Sequence, residues 1–265
     1  MFLRSFRAAL LAALLVLAPA TTALAEPNQP PTSGAPAESD WQVSLITFGM
    51  YAPRYEGADD SRLLAFPMLD VSWRDRFFFG MKGLGATLWR NEQVDVALAL
   101  GYSFGRDEND SPDLAGLGDI DAGASANLHL GYNARPFSYS LHLERPLGDR
   151  DTGAQLHLGI GYDLSFGRRL MLKPGLKTTW ANARSMQSYF GVTPSQSISS
   201  GLPVYEAGAG FKSAGLNLLA IYLMNRHWAG TVTLGADRLL GDAADSPITQ
   251  DRTQFSAGAG LSYRF

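Results

Sequence analysis

Three histidines occupy positions where chemistry is possible. His129, His142 and His157 fall in three successive segments of alternating polarity, each on the polar side, and Glu144 and Asp163 share those sides. Imidazoles and carboxylates on neighbouring strands are a donor set for a divalent transition metal, and equally an acid–base pair. The same residue types also make an ordinary wet lining, and their spacing matches no metal-ligand motif. Asp59-Asp60 and the group Asp107, Glu108, Asp110 and Asp113 offer hard oxygens to Ca²⁺. Neither has EF-hand spacing, and Gly57 with Asp59-Asp60 reads as turn chemistry. Serine is abundant, yet no serine is placed against a histidine by sequence, the pair a barrel lipase would need. There is no cysteine, which excludes thiolate metal sites and disulfides. The expectation is a protein without enzymatic activity, cofactor or metal.

The elements that must position these side chains are strands. The last stretch, Phe255 to Phe265, places Phe255, Ala257, Ala259, Leu261, Tyr263 and Phe265 on one side, with Ser256, Gly258, Gly260, Ser262 and Arg264 on the other. Side chains alternate with period two in a strand, so this is one greasy face and one small or polar face. Val94–Phe104, Phe137–Leu143, Ala154–Phe166 and Leu170–Trp180 repeat the pattern. Asp95, Asp121, Glu144, Asp163, Lys173 and Lys177 interrupt the strands on the non-greasy face. A soluble sandwich also alternates. Strands of roughly ten residues, with aromatics near their ends, instead match a transmembrane antiparallel β-barrel with lipid outside and water inside. About twelve such segments follow one another, with Phe77–Trp89 read as one and Val204–Lys212 and Leu216–Met224 as two. No helical period is evident after the leader.

The N-terminus supports export. Arg4 and Arg7 precede the apolar run Ala8–Leu17, and Ala23-Leu24-Ala25 is a small-x-small cleavage site before Glu26. Residues 1–25 therefore read as a signal peptide, cut with Ala23 and Ala25 as the recognised small residues. The apolar run is shorter than the roughly 20 residues a spanning helix needs. Residues 26–40, rich in Pro, Ser and Gly, read as a flexible periplasmic tail. Residues 41–265 are left to form the barrel. A formal net charge of −3 gives no electrostatic footprint for nucleic acid, and a mean hydropathy of −0.06 suits strands that average a lipid face and a lumen face.

With both termini in the periplasm, the long loops Tyr51–Arg62 and Gly241–Arg252 fall outside. The same counting puts Gly105–Asp119 and Asn182–Pro203 on the periplasmic side, an unusual place for long loops, so that either the strands are miscounted or the barrel offers unusual surface to the periplasm. Within the latter, Tyr189 and Phe190 read either as rim packing or as aromatic anchors for a partner.

Several stretches together resemble the MipA/OmpV family of outer-membrane proteins. They are Tyr51–Asp60 (YAPRYEGADD), Tyr189–Thr193 (YFGVT), Arg238–Ile248 (RLLGDAADSPI) and the ending Tyr263-Arg264-Phe265. The resemblance implies an outer-membrane barrel of a Gram-negative bacterium, embedded in outer-membrane lipid. Outer-membrane barrels commonly end as this chain does, so Gly260, Tyr263 and Phe265 are expected to be read by the barrel-assembly machinery. The family further implies a scaffold that joins a periplasmic lytic transglycosylase to a penicillin-binding protein in murein remodelling. Other members are described as porin-like, which implies the alternative of a narrow channel for small polar solutes.

Overall fold

The computed structural model describes residues 40–148 and 152–265. The expected signal peptide with Ala23 and Ala25, and all of the expected tail but Asp40, lie outside the described residues. Thirteen strands form one closed antiparallel sheet. They are β1 (Trp41–Pro53), β2 (Ser61–Trp73), β3 (Phe77–Gly80), β4 (Gly83–Arg90), β5 (Val94–Ser103), β6 (Gly123–Ala134), β7 (Phe137–Pro146), β8 (Gln155–Tyr162), β9 (Leu164–Phe166), β10 (Leu170–Ala181), β11 (Gly210–Leu223), β12 (Trp228–Leu239) and β13 (Thr253–Arg264). β8 and β9 are two pieces of one stave broken at Asp163, so the barrel has twelve staves. Sequential strands pair, β1 pairs with β13, and β10 pairs with β11. Closure pairs every strand on both sides over at least part of its length, which hydrocarbon requires of a spanning sheet, although β2 and β5 are paired on one side only beyond the short β3–β4 hairpin.

Alternation survives in three dimensions. Leu63, Leu98, Leu100, Leu176, Leu216 and Phe255 point outward and are exposed to the lipid phase. Asp95, Ser125, Asn127, Ser138 and Lys212 point inward and are buried. β1 and β2 depart from a polar lumen. Their inward faces carry Ile46, Phe48, Met50, Leu64, Phe66 and Met68, with Phe48 at 9% and Met68 at 2% exposure. The lumen therefore has an apolar strip on one side and a polar wall on the other.

All four long loops gather at one mouth, so 105–119 and 182–203 lie with the other two and the strand reading between them is at fault. Tyr55 and Ala58 of the first loop pack on Leu114 and Leu117 of the second, Val192 of the third and Ile248 of the last. A second core joins Ala181, Met186, Phe190, Ala207, Leu239 and Ala243. The cause lies in two strands. Phe77–Trp89 is a hairpin, because the chain reverses at Met81-Lys82 between Gly80 and Gly83. Gly83 has φ of 93°, and a side chain there would run into the Leu100 carbonyl. Conversely, 204–209 is irregular and β11 is one long strand, so the total stays at twelve staves while the sidedness of the intervening loops inverts.

The cap formed by these loops contains three helices that sequence periodicity missed: α1 (Ala183–Phe190), α2 (Pro194–Ser200) and α3 (Gly241–Asp245). Each is too short to display a period of 3.6. Their signals are end signals instead. The Asn182 side chain accepts from the Ser185 backbone N–H. Thr193 and Gln196 form a capping box, and Gly201 closes α2 in the left-handed region.

The opposite end has only short turns, ringed by aromatics. Trp41 and Trp73 lie 6.0 Å apart between ring centroids, Trp73 and Phe77 5.6 Å, and Trp228 and Tyr263 4.9 Å. Short turns with an aromatic girdle are the periplasmic end of outer-membrane barrels, so the cap faces outward.

Candidate functional site

The polar wall is built by β5 to β8 and β10. His129, His142 and His157 sit in direct register across β6, β7 and β8. Their rings stack as a ladder, with centroids 4.3 Å apart at 7° for the first pair and 5.2 Å at 18° for the second. Near-parallel rings turn their faces, not their nitrogens, toward one another. His142 Nε2 instead bonds Asn127 Oδ1 at 2.8 Å, and His157 Nδ1 bonds Thr179 Oγ1 at 3.0 Å. His129 Nε2 is buried without a partner. Among the described residues no group of three His, Asp or Glu side chains converges as a metal site.

The two carboxylates expected beside the histidines lie elsewhere. Asp163 is at the turn end, paired with Lys173 at 3.0 Å. Glu144 points inward two residues beyond His142, toward the cap, within electrostatic reach of Lys212 and Glu56. Glu144 therefore belongs to a knot across the mouth. Lys212 of β11 donates to Glu56 Oε1 and Oε2 of the first loop at 2.7 and 2.8 Å. Burial holds the phenol of Tyr189 in α1 above the usual tyrosine value, with Glu56 the next cause. Arg106 Nη1 donates to the Tyr189 carbonyl at 2.9 Å. β7, β11, α1 and two loops thus meet directly under the cap.

Tyr189 and Phe190 are part of this cap. Phe190 is fully buried, and Ser246 Oγ donates to its carbonyl at 2.6 Å, so neither ring stands out as an exposed anchor. Gly260 packs beside Phe48 in β13, and Tyr263 lies 4.9 Å from Phe265, whose side chain is exposed at the strand end. The acidic loops use their oxygens internally. Asp110 pairs with Arg62 at 2.8 Å, and Asp107 accepts from the Asn109 backbone at 2.8 Å.

Sequence reasoning missed Glu56 and Lys212. Lys212 was visible only as a lysine at a polar position of a strand, and its partner lies 156 residues away. Lys177–Asp237 at 2.7 Å is a second inward pair of the same kind, joining β10 to β12.

The family model described as "MltA-interacting protein MipA" matches residues 47–265. No curated protein matches the chain. Among solved structures, the chain is similar to the KdgM porin, with 11% identity, a TM-score of 0.43, and coverage of 84% of this chain and 99% of that one. It is similar to the NanC porin at 9% identity and a TM-score of 0.44, covering 83% and 100%. It is also similar to an outer-membrane channel from Pseudomonas putida F1 at 11% identity and a TM-score of 0.43, covering 90% and 100%.

Proposed function

This chain belongs to the MipA family, and on that premise we propose that it is a non-enzymatic outer-membrane barrel acting as a narrow, loop-gated passage for small polar solutes. The observation that carries this reading is the inward polar wall. It runs from the mouth knot through Asn127 and the histidine ladder to Lys173–Asp163 at the turn end. Twelve staves enclose more room than the smallest, side-chain-filled barrels and less than open porins. The cap supplies the gate, because it is held by its own small cores and a few polar ties. Purified protein in planar bilayers is expected to give small conductance steps, with longer openings once Glu56→Gln loosens the cap. Electrical silence in both proteins overturns the reading.

A second reading is favoured by the family's description, which names an interacting protein, MltA. A scaffold of that kind has to work through the periplasmic end, where the described chain offers turns carrying Arg74, Arg76, Arg168, Arg169 and Arg226. Such a rim fits an acidic protein surface. Replacing Arg168 and Arg169 by Glu is expected to weaken capture of a lytic transglycosylase, with cap variants neutral. Unchanged capture removes this rim as the docking surface.

A further inference from the structure

The barrel wall is incomplete in its outer half. β3 has four residues, and it pairs with β2 only at Val71, Ser72 and Trp73. The β3–β4 hairpin turns back at Met81-Lys82, and β4 pairs with β5 only as far as Leu100. Above that turn, β2 from Leu63 to Leu69 has β1 on one side and no strand on the other. β5 beyond Gly101 likewise has only β6. The height is fixed by register. Leu63 is opposite Tyr51 near the outer end, and Trp73 is opposite Trp41 in the inner girdle. The gap therefore opens onto the outer half of the hydrocarbon layer.

Its frame is specific. The hairpin turn with Lys82 forms the sill. The second loop forms the lintel, where Asp110 of a 3-10 turn holds Arg62 at 2.8 Å. Immediately inside lies the apolar strip of Leu64, Phe66, Met68 and Phe48, with the two phenyl centroids 6.3 Å apart. On the outer face of the neighbouring strands, a shallow groove of about 560 Å³ crosses β13, β1 and β2 at Ala259, Thr47, Gly49, Ala65 and Pro67, and reaches the gap only through β2. Unpaired strand edges in hydrocarbon are tolerated only where they meet water or polar atoms. Arg62 adds a buried Nε–H with no acceptor at the top of the opening.

We propose that this gap is a lateral port that admits an anionic lipid of the surrounding membrane. The acyl chain passes from the outer groove onto the inner apolar strip. The phosphate head stays at the lintel and accepts from Arg62 Nε–H. This is a different activity from solute passage along the lumen axis and does not depend on it.

The test uses the absence of cysteine in the chain. Phe66→Cys on the inner strip and Gln155→Cys on the inward face of β8 are each labelled with bimane. The full-length proteins are then reconstituted with nitroxide-labelled phosphatidylglycerol or phosphatidylcholine. The port predicts strong quenching at position 66 and little at 155, greater for phosphatidylglycerol. Arg62→Gln is expected to lower that preference about tenfold, the value of one hydrogen bond to a charged group. Lengthening the β3–β4 hairpin to full height abolishes quenching at 66. Equal quenching at both positions, quenching by nitroxide-labelled stearate alone, or shielding of position 66 by a cross-linkable second polypeptide overturns the proposal.

Discussion

Lys212 Nζ lies 2.7 Å from Glu56 Oε1 although the two residues are 156 positions apart. The lysine is 5% exposed and the glutamate 46%, so the loop brings its charge to a buried partner in the wall. Removing the glutamate strands the lysine. Glu56→Gln is expected to cost about 1–3 kcal/mol, below the 3–5 of a wholly buried pair because Glu56 is half in solvent. The loss falls on the cap, and limited proteolysis within 182–203 measures it.

Phe190 fills the second cap core and is fully buried. Phe190→Ala is expected to cost roughly 3–5 kcal/mol. Local opening costs less than unfolding the barrel. The variant should therefore keep its heat-modifiable gel mobility while its cap becomes protease-sensitive. Loss of the mobility shift itself would mean that the cap and barrel fold as one unit.

The histidine ladder makes a prediction about metal. Its nitrogens are directed to Asn127 and Thr179 rather than to a common point. Calorimetric titration with Zn²⁺ is expected to show no stoichiometric site that disappears when His129, His142 and His157 are changed to Gln. Appearance of such a site would require the rings to leave their stack.

Tyr55 supplies a pH signature outside the membrane. Burial, followed by the nearby Asp113, raises its phenol well above the ordinary value of 10.0. The fold therefore prefers the neutral form. That contribution is complete below the ordinary tyrosine value and is lost as pH climbs through the raised one. Tyr55 Oη donates to the Ile248 carbonyl at 3.2 Å, so its ionisation unties the first loop from the last. Cap proteolysis should rise in strong alkali, and Tyr55→Phe should lack that step.

Strand identity was legible because lipid imposes the alternation directly on the sequence. Leu156, Leu158 and Ile160 against His157 and Gly159 needed no tertiary knowledge. Turns without the usual signals were not legible. Gly80-Met81-Lys82-Gly83 carries no Asn-Gly or Asp-Gly pair, so the hairpin passed as one strand and carried two loops to the wrong side. The structure sets the three histidines in register across neighbouring strands, whereas Glu144 falls in the mouth knot because Lys212 and Glu56 reach its neighbourhood from distant parts of the chain. Tyr189 and Phe190 lie in a segment whose fate depends on whether a cap exists, which no local pattern states.

The four outer loops share interior side chains, and this limits how the cell surface of the protein can change. Phages, antibodies and predators select for rapid divergence of whatever they touch, and separate loops diverge separately. Here Tyr55, Leu114, Val192 and Ile248 each belong to a different loop and to one common interior. A change of size in any of them must be matched in the other three. Drift is thereby channelled to solvent positions such as Ile198, which is 88% exposed and is the natural place to graft a foreign epitope.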